Sequence, residues 1–212
     1  MRLSAARRLL WRRSLRSPPL SRLPELIERL SAREPERADE PGRPLAAVAV
    51  VLAPDPDALL LIRRAERAED HWSGHLALPG GRWGPGDPDL VATARRETRE
   101  ETGVGLEGLD PVAALDDLVP RNPILPPILV RPFVFLLPAH TPLVPNHELS
   151  GAWWVPLESL IRPGILRPYE YRREGSSVQT EGYHLDVGVL WGMTERILTP
   201  LIRLFAPPAR IL

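Results

Sequence analysis

No stretch of this chain restricts its fold more than Leu78-Pro79-Gly80-Gly81-Arg82 and the helix written after it, which closes on Arg96-Glu97-Thr98-Arg99-Glu100-Glu101-Thr102-Gly103-Val104. Asp87 reads as the N-cap, Pro88 suits the first helical position, and Gly103 supplies the stop. About four turns fit between them. At roughly 3.6 residues per turn, Glu97, Glu100 and Glu101 share a sector roughly 100° wide. Leu90, Val91, Ala94 and Thr98 form the adjoining apolar face, and Arg95, Arg96 and Arg99 fall on the far side.

Glu97 and Glu101 are four residues apart, a spacing at which like charges cost a helix a few tenths of a kcal/mol. A solvated face, with Arg96 paired to Glu100, accounts for such a cluster when it stands alone. Its neighbours change the reading. A Gly-Gly loop lets backbone carbonyls approach a cation closely, and three carboxylates on one face are hard oxygen ligands suited to Mg²⁺ or Mn²⁺.

Arg96 to Val104 resembles the second half of the Nudix box, the signature of the Nudix hydrolase family. The family pattern places an isolated glutamate upstream, where this chain has Pro88 flanked by Asp87 and Asp89, and Gly81 stands one residue further from Arg96 than is common. This lengthened loop, with aspartates in place of the glutamate, is similar to the coenzyme A diphosphatase branch. Gly74 fits that branch, while Leu78 stands where Phe is usual. Pro145-Asn146-His147-Glu148, followed by Trp154-Val155-Pro156-Leu157, resembles the same branch, as does Trp191-Gly192-Met193-Thr194.

The 212 residues suffice for one well-buried domain with appendages, and the 43% hydrophobic and 25% charged content is ordinary for a globular chain. A formal net charge of zero gives no reason to expect a nucleic-acid partner. All the strong cations are Arg. The absence of Cys excludes disulfides, a thiol nucleophile and thiolate metal sites, and fits a reducing compartment; the expected location is cytoplasmic. No apolar run approaches a membrane span. The Arg-rich first twenty residues read as a loosely docked arm, with a mitochondrial transit segment as the alternative.

Residues 1–43 are expected to be a basic arm, a helix and a linker, 44–206 the domain, and 207–212 a tail. The helix runs from Ser21 to Ala32, with Leu23, Ile27 and Leu30 on its apolar face. Leu45 to Leu52 is a buried strand, Pro54 to Asp57 a turn, and Ala58 to Arg63 the returning strand. The Arg63, Arg64 and Arg67 cluster beyond it is either a solvated strand end or a grip on substrate phosphates, which guanidinium matches in two-pronged fashion. His71 and His75 read as loop residues, and Trp72 and Trp83 as packing around the box, with stacking on a nucleobase as the alternative. Val112 to Val119 and Ile128 to Leu137 read as strands, separated by a proline-rich loop. Trp153 to Leu157 gives a strand and a short helical turn, Arg162 to Glu181 a loop with a short strand after it, and Val189 to Leu198 a closing helix continuing to Phe205.

The resemblance covers roughly Leu45 to Phe205. It implies an α/β (α+β) sandwich of the Nudix fold, a mixed sheet between helices with the box as loop–helix–loop. It further implies metal-dependent hydrolysis of a nucleoside diphosphate-X substrate, here coenzyme A or a derivative split to 3′,5′-ADP and phosphopantetheine. Glu97 and Glu101 are the first metal ligands, with Glu100 and the Gly81 carbonyl completing the set, and Arg96 orients the glutamates. Glu148 is a fourth carboxylate, a water-positioning base or a surface residue. The alternatives are hydrolysis of ADP-ribose or another nucleoside diphosphate, and a non-catalytic Nudix-fold binding module. The oligomeric state is left open.

Overall fold

The computed structural model describes residues 21–67, 72–120, 126–173 and 176–207. The Arg-rich arm, His71, part of the proline-rich loop and the last five residues lie outside them. In chain order the elements are α1 (Leu23–Ser31), β1 (Leu45–Ala53), β2 (Ala58–Arg64), β3 (Leu76–Ala77), β4 (Gly80–Arg82), α2 (Leu90–Thr102), β5 (Ala113–Ala114), β6 (Leu129–Leu136), β7 (Leu149–Pro156), α3 (Leu157–Leu160), β8 (Leu166–Arg173), β9 (Ser176–Leu185), β10 (Gly188–Trp191) and α4 (Gly192–Phe205).

β1 is the hinge of the main sheet. It runs parallel to β6 over its length but pairs with β2 only at the hairpin end, Leu52 with Leu59 and Ala53 with Ala58. Beyond that the two strands part. β4 takes the freed edge of β1, Ala46 to Val48 against Arg82 to Gly80, while β3 and β7 pair with β2. The Gly-Gly loop is thus stitched into the middle of a mixed sheet rather than left at its margin.

Alternation along β1 separates two cores. Val50 and Leu52 pack toward α1, α3 and α4, in a cluster with Leu23, Leu26, Leu30, Leu157, Leu198, Leu201 and Phe205. Ala47, Ala49, Val51 and Ala53 face α2, in a cluster with Ala94, Leu60 and Phe135. The small side chains on this second face let the glutamate helix close on the sheet. The result is the expected α+β sandwich.

Several boundaries differ from the sequence reading. The expected strand Val112–Val119 reduces to Ala113–Ala114 and an isolated bridge from Leu118 to Val130. Asp116 and Asp117 divert the segment: Asp116 accepts from the Glu36 amide, and Asp117 takes Arg37, Arg131 and the Ala38 amide. Burial pushes Asp117 up, but these donors outweigh it and its pKa is lowered overall. The loop expected over Arg162–Glu181 is mostly the long β8–β9 hairpin, which with β10 makes a second sheet in the order β10-β9-β8. Pro168, which signalled a loop, is tolerated because β8 is the edge strand. Val189 to Trp191 belong to β10, so the closing helix begins at Gly192. No helix among the described residues is long and apolar enough to cross a membrane.

Candidate active site

The box helix starts two residues later than its capping pattern suggests. Asp89, extended at φ −157°, is the N-cap and accepts from the Ala92 amide at 2.7 Å. Gly103 closes the helix in the left-handed conformation at φ 74°. Asp87 is released from capping for a different task. Its carboxylate is almost buried and receives Arg96 in two-pronged fashion, Nε to Oδ1 at 2.9 Å and Nη2 to Oδ2 at 2.8 Å. The Thr93 hydroxyl and the Gly84 amide also donate to Oδ2. The Arg96 guanidinium beside Asp87 holds that carboxyl far below the usual carboxylate range, and the guanidinium is held protonated in turn.

Arg96 therefore does not lie on the far side of the helix. Its Nη1 donates to Glu97 Oε1 at 2.8 Å and to Glu100 Oε2 at 3.1 Å, so one guanidinium links the loop carboxylate to two box glutamates. Capping preference alone did not separate the two roles for an aspartate in Asp87-Pro88-Asp89. The useful signal was the doubling itself, since one helix needs one N-cap.

The two glycines act on different glutamates. The Gly80 amide donates to Glu101 Oε2 at 2.9 Å. Gly81 leaves room for Glu97: a Cβ there would stand 2.6 Å from Oε2 and closer still to Cδ. Glu101 is 2% exposed, and burial is the main reason its pKa rises from 4.5 to about 7. The nearby Glu97 charge adds to that rise, while the Gly80 amide and Arg64 oppose it. Glu97 is raised as well, first by burial, against the pull of Arg96. Glu100 is half exposed and bonds only outward to Arg96 among the described residues.

The chain after β6 closes the other side. The Asn146 amide donates to the Glu101 carbonyl at 3.0 Å and the Val144 amide to the Thr102 carbonyl at 2.8 Å, so residues 144–146 are tied to the last helical turn. That brings Glu148 near enough to raise both Glu97 and Glu101. Arg64 Nη1 lies 3.9 Å from Glu101 Oε1, and Arg67 Nη1 lies 3.9 Å from Glu148 Oε1. Arg63 goes elsewhere. It donates to the Val187 carbonyl and sits 5.5 Å over the Trp153 ring, because adjacent strand residues face opposite sides of the sheet. Trp83 is 49% exposed and donates its indole N–H to the Asp87 carbonyl. His75 packs on Tyr171 and Trp191.

Among the described residues no three His, Asp or Glu side chains converge on one point ready to hold a cation. The donor chemistry nevertheless fits Mg²⁺ or Mn²⁺. Glu97 and Glu101 are acceptor-only oxygens, both raised by burial despite Arg96 and Arg64 beside them, and a divalent ion would offset that cost.

Fold and site together define an α+β protein in which a sheet-anchored glycine pair holds a helix-borne carboxylate cluster. The chain belongs to the Nudix family, whose domain model, described as NUDIX domain, matches residues 42–174. An uncharacterized protein of Schizosaccharomyces pombe is 42% identical over 110 residues, covering 50% of this chain and 33% of that protein. The uncharacterized Nudix hydrolase NudL of Yersinia pestis is 31% identical over 160 residues, covering 75% of this chain and 77% of its own. This chain thus spans a third of the yeast relative and about three quarters of the bacterial one. Among solved structures, a MutT/nudix family protein from Enterococcus faecalis aligns with a TM-score of 0.47 at 19% identity, over 90% of this chain and 68% of that one.

Proposed function

We propose that this chain hydrolyses the diphosphate bond of a nucleoside diphosphate-X compound, and that its substrate is coenzyme A or an acyl derivative. The observation that carries the reaction class is the buried Glu101 on the Gly80 amide beside Glu97 on bare Gly81, with Arg96 braced by Asp87. A non-catalytic module has no use for two crowded carboxylates that destabilise each other. The lengthened box loop, with Asp87 in place of a glutamate, and the Trp191-Gly192-Met193-Thr194 turn support the coenzyme A reading.

Glu97, Glu101, Glu100 and the Gly81 carbonyl would hold Mg²⁺ or Mn²⁺. A divalent ion at such a site neutralises phosphate charge and acidifies water. The residues themselves have separable tasks. Arg96 fixes the rotamers of Glu97 and Glu100, and Asp87 fixes Arg96. The Gly80 amide holds one Glu101 oxygen, and the other faces Arg64 at 3.9 Å. Arg64 and Arg67, at the end of β2, are placed to take substrate phosphate oxygens in exchange for their long contacts to Glu101 and Glu148. Glu148 faces the same space as a base able to accept a proton from attacking water.

Incubating purified protein with Mg²⁺ or Mn²⁺ and coenzyme A, with a chelated control and products identified by mass, tests the reading. Metal-dependent release of phosphopantetheine and 3′,5′-ADP is expected. Cleavage of ADP-ribose or a dinucleotide with coenzyme A untouched would refute the substrate and retain the glutamate assignment. Silence with every diphosphate would refute hydrolysis itself.

A further inference from the structure

A concavity of about 550 Å³ lies beside the end of β2, lined on that strand by Arg63, and none of Glu97, Glu100 and Glu101 lines it. Its floor is aromatic. Trp191 leans on Tyr171 with ring centroids 4.6 Å apart and an interplanar angle of 33°, and Tyr169 and His75 complete the cluster at 5.8 and 4.7 Å from Trp191. The β8–β9 hairpin explains the arrangement. Tyr169 and Tyr171 share a strand face, and Trp191 pairs across from Gly182, where a Cβ would stand 3.3 Å from the Trp191 Cβ. The missing side chain lets the indole lie over β9 toward the tyrosines.

The rim is cationic, with Arg63, Arg67 and Arg172 set against the single carboxylate of Glu66. Arg63 is committed to the Val187 carbonyl and the Trp153 ring. The other two are not so bound. Arg172 is 76% exposed and, among the described residues, pairs along its own strand with Glu170, and Arg67 is 48% exposed with Glu148 at 3.9 Å. Exposed ion pairs are weak, so both guanidiniums exchange such partners readily for a phosphate. Arg67 also joins the two sites, because it lines the cleft and faces Glu148 of the carboxylate side.

We infer that this cleft is the nucleoside subsite: a purine ring stacks on the Tyr171–Trp191 floor while Arg172 holds a phosphate monoester separate from the diphosphate that Arg67 faces. Aromatic faces accept any base by stacking, and the Arg172 guanidinium then selects for the extra phosphate. The substrate crosses the end of β2 at Arg67, its diphosphate on the glutamate side and its nucleoside on the other. The inference rests on the reading of the chain as a nucleoside diphosphate-X hydrolase and adds where, and by which residues, a phosphorylated nucleoside is chosen.

Calorimetric titration of the full chain in a chelator, with 3′,5′-ADP and with 5′-AMP, tests it without turnover. Binding of 3′,5′-ADP at one site, about tenfold tighter than 5′-AMP, is expected. Arg172→Ala is expected to abolish that preference, and Tyr171→Leu to weaken both ligands about tenfold. Equal affinity for the two ligands, or affinities unchanged by Arg172→Ala, would overturn the assignment; that exposed side chain is removable without disturbing packing if Tyr171→Leu does not fold. The two readings fail separately. Intact binding through Arg172 without coenzyme A hydrolysis sinks the substrate and keeps the cleft, whereas hydrolysis with KM unmoved by Arg172→Ala sinks the cleft and keeps the substrate.

Discussion

Burial lifts Glu101 from 4.5 to about 7, against the Gly80 amide that donates to one of its oxygens. Its unfolded-state pKa is the lower one, so between those values the folded protein keeps a proton that the unfolded chain has released. The contribution of Glu101 to the stability of the metal-free protein is then greatest below about 4.5 and is lost as pH rises through about 7. Glu97, raised in the same direction, adds to the loss. Glu101→Gln keeps an acceptor for Gly80 and removes the charge. We expect it to abolish turnover and to stabilise the metal-free protein at pH 8 by on the order of 3 kcal/mol, an advantage that vanishes by pH 4. Denaturant melts of both proteins across that range, in a chelator, check this. A variant of unchanged pH profile would show that Glu101 is not the strained carboxylate, and full activity would remove it from the metal set.

At the scale of elements, β4 does two jobs with two adjacent glycines, and substitution separates them. Gly80 sits at φ +152°, and a Cβ there would stand 2.6 Å from the Val48 Cα and closer still to the Ala47 carbonyl oxygen. Backbone on the paired strand cannot yield, so Gly80→Ala is expected to cost several kcal/mol, in the range of about 2 to 4. The nearest atoms to the Cβ of Gly81→Ala belong to the movable end of Glu97. That variant is expected to unfold within about 1 kcal/mol of wild type yet lose at least about tenfold in kcat/KM, because the glutamate must leave its place. Melting and steady-state rates on the pair decide it; equal stability losses would mean that Glu97 does not rest on Gly81. The sequence set the loop glycines beside the helix glutamates, since helical spacing and loop glycines are local signals. It presents the glycines as carbonyl donors to a cation, not as an amide donor to Glu101 and clearance for Glu97. What it hid was non-local. Asp87 reaches Arg96 by folding the loop back, Asp117 interrupts the ladder to β6 to gather Arg37 and Arg131, and Pro168 rests on a strand because that strand lies at an edge. None of these depends on a residue's immediate neighbours.

At the scale of the whole molecule, the segment before β1 is built into the core that lies behind the site. Asp57, in the β1–β2 turn, accepts from the Ser21 hydroxyl and the Arg22 amide, and Arg22 reaches both Glu158 and the Phe205 carbonyl. Leu23, Leu26 and Leu30 join the cluster of Leu198, Leu201 and Phe205 from α4. The expected apolar spacing was right for Leu23 and Leu30, but Leu26 is the side chain fully covered between them, with Ile27 only partly so. α1 and α4 thus brace one face of β1 while α2 and its glutamates occupy the other, and β1 carries β4 on its edge. Leu26 is 1% exposed, so Leu26→Ala leaves a cavity between the helices and is expected to cost about 2 to 5 kcal/mol. Because the glutamates lie across the sheet from that cavity, the folded fraction should retain its KM while thermal stability drops. Differential scanning calorimetry alongside kinetics at a temperature below both midpoints tests the separation. A change in KM larger than about threefold would mean that α1 communicates with the site through β1 rather than only supporting it.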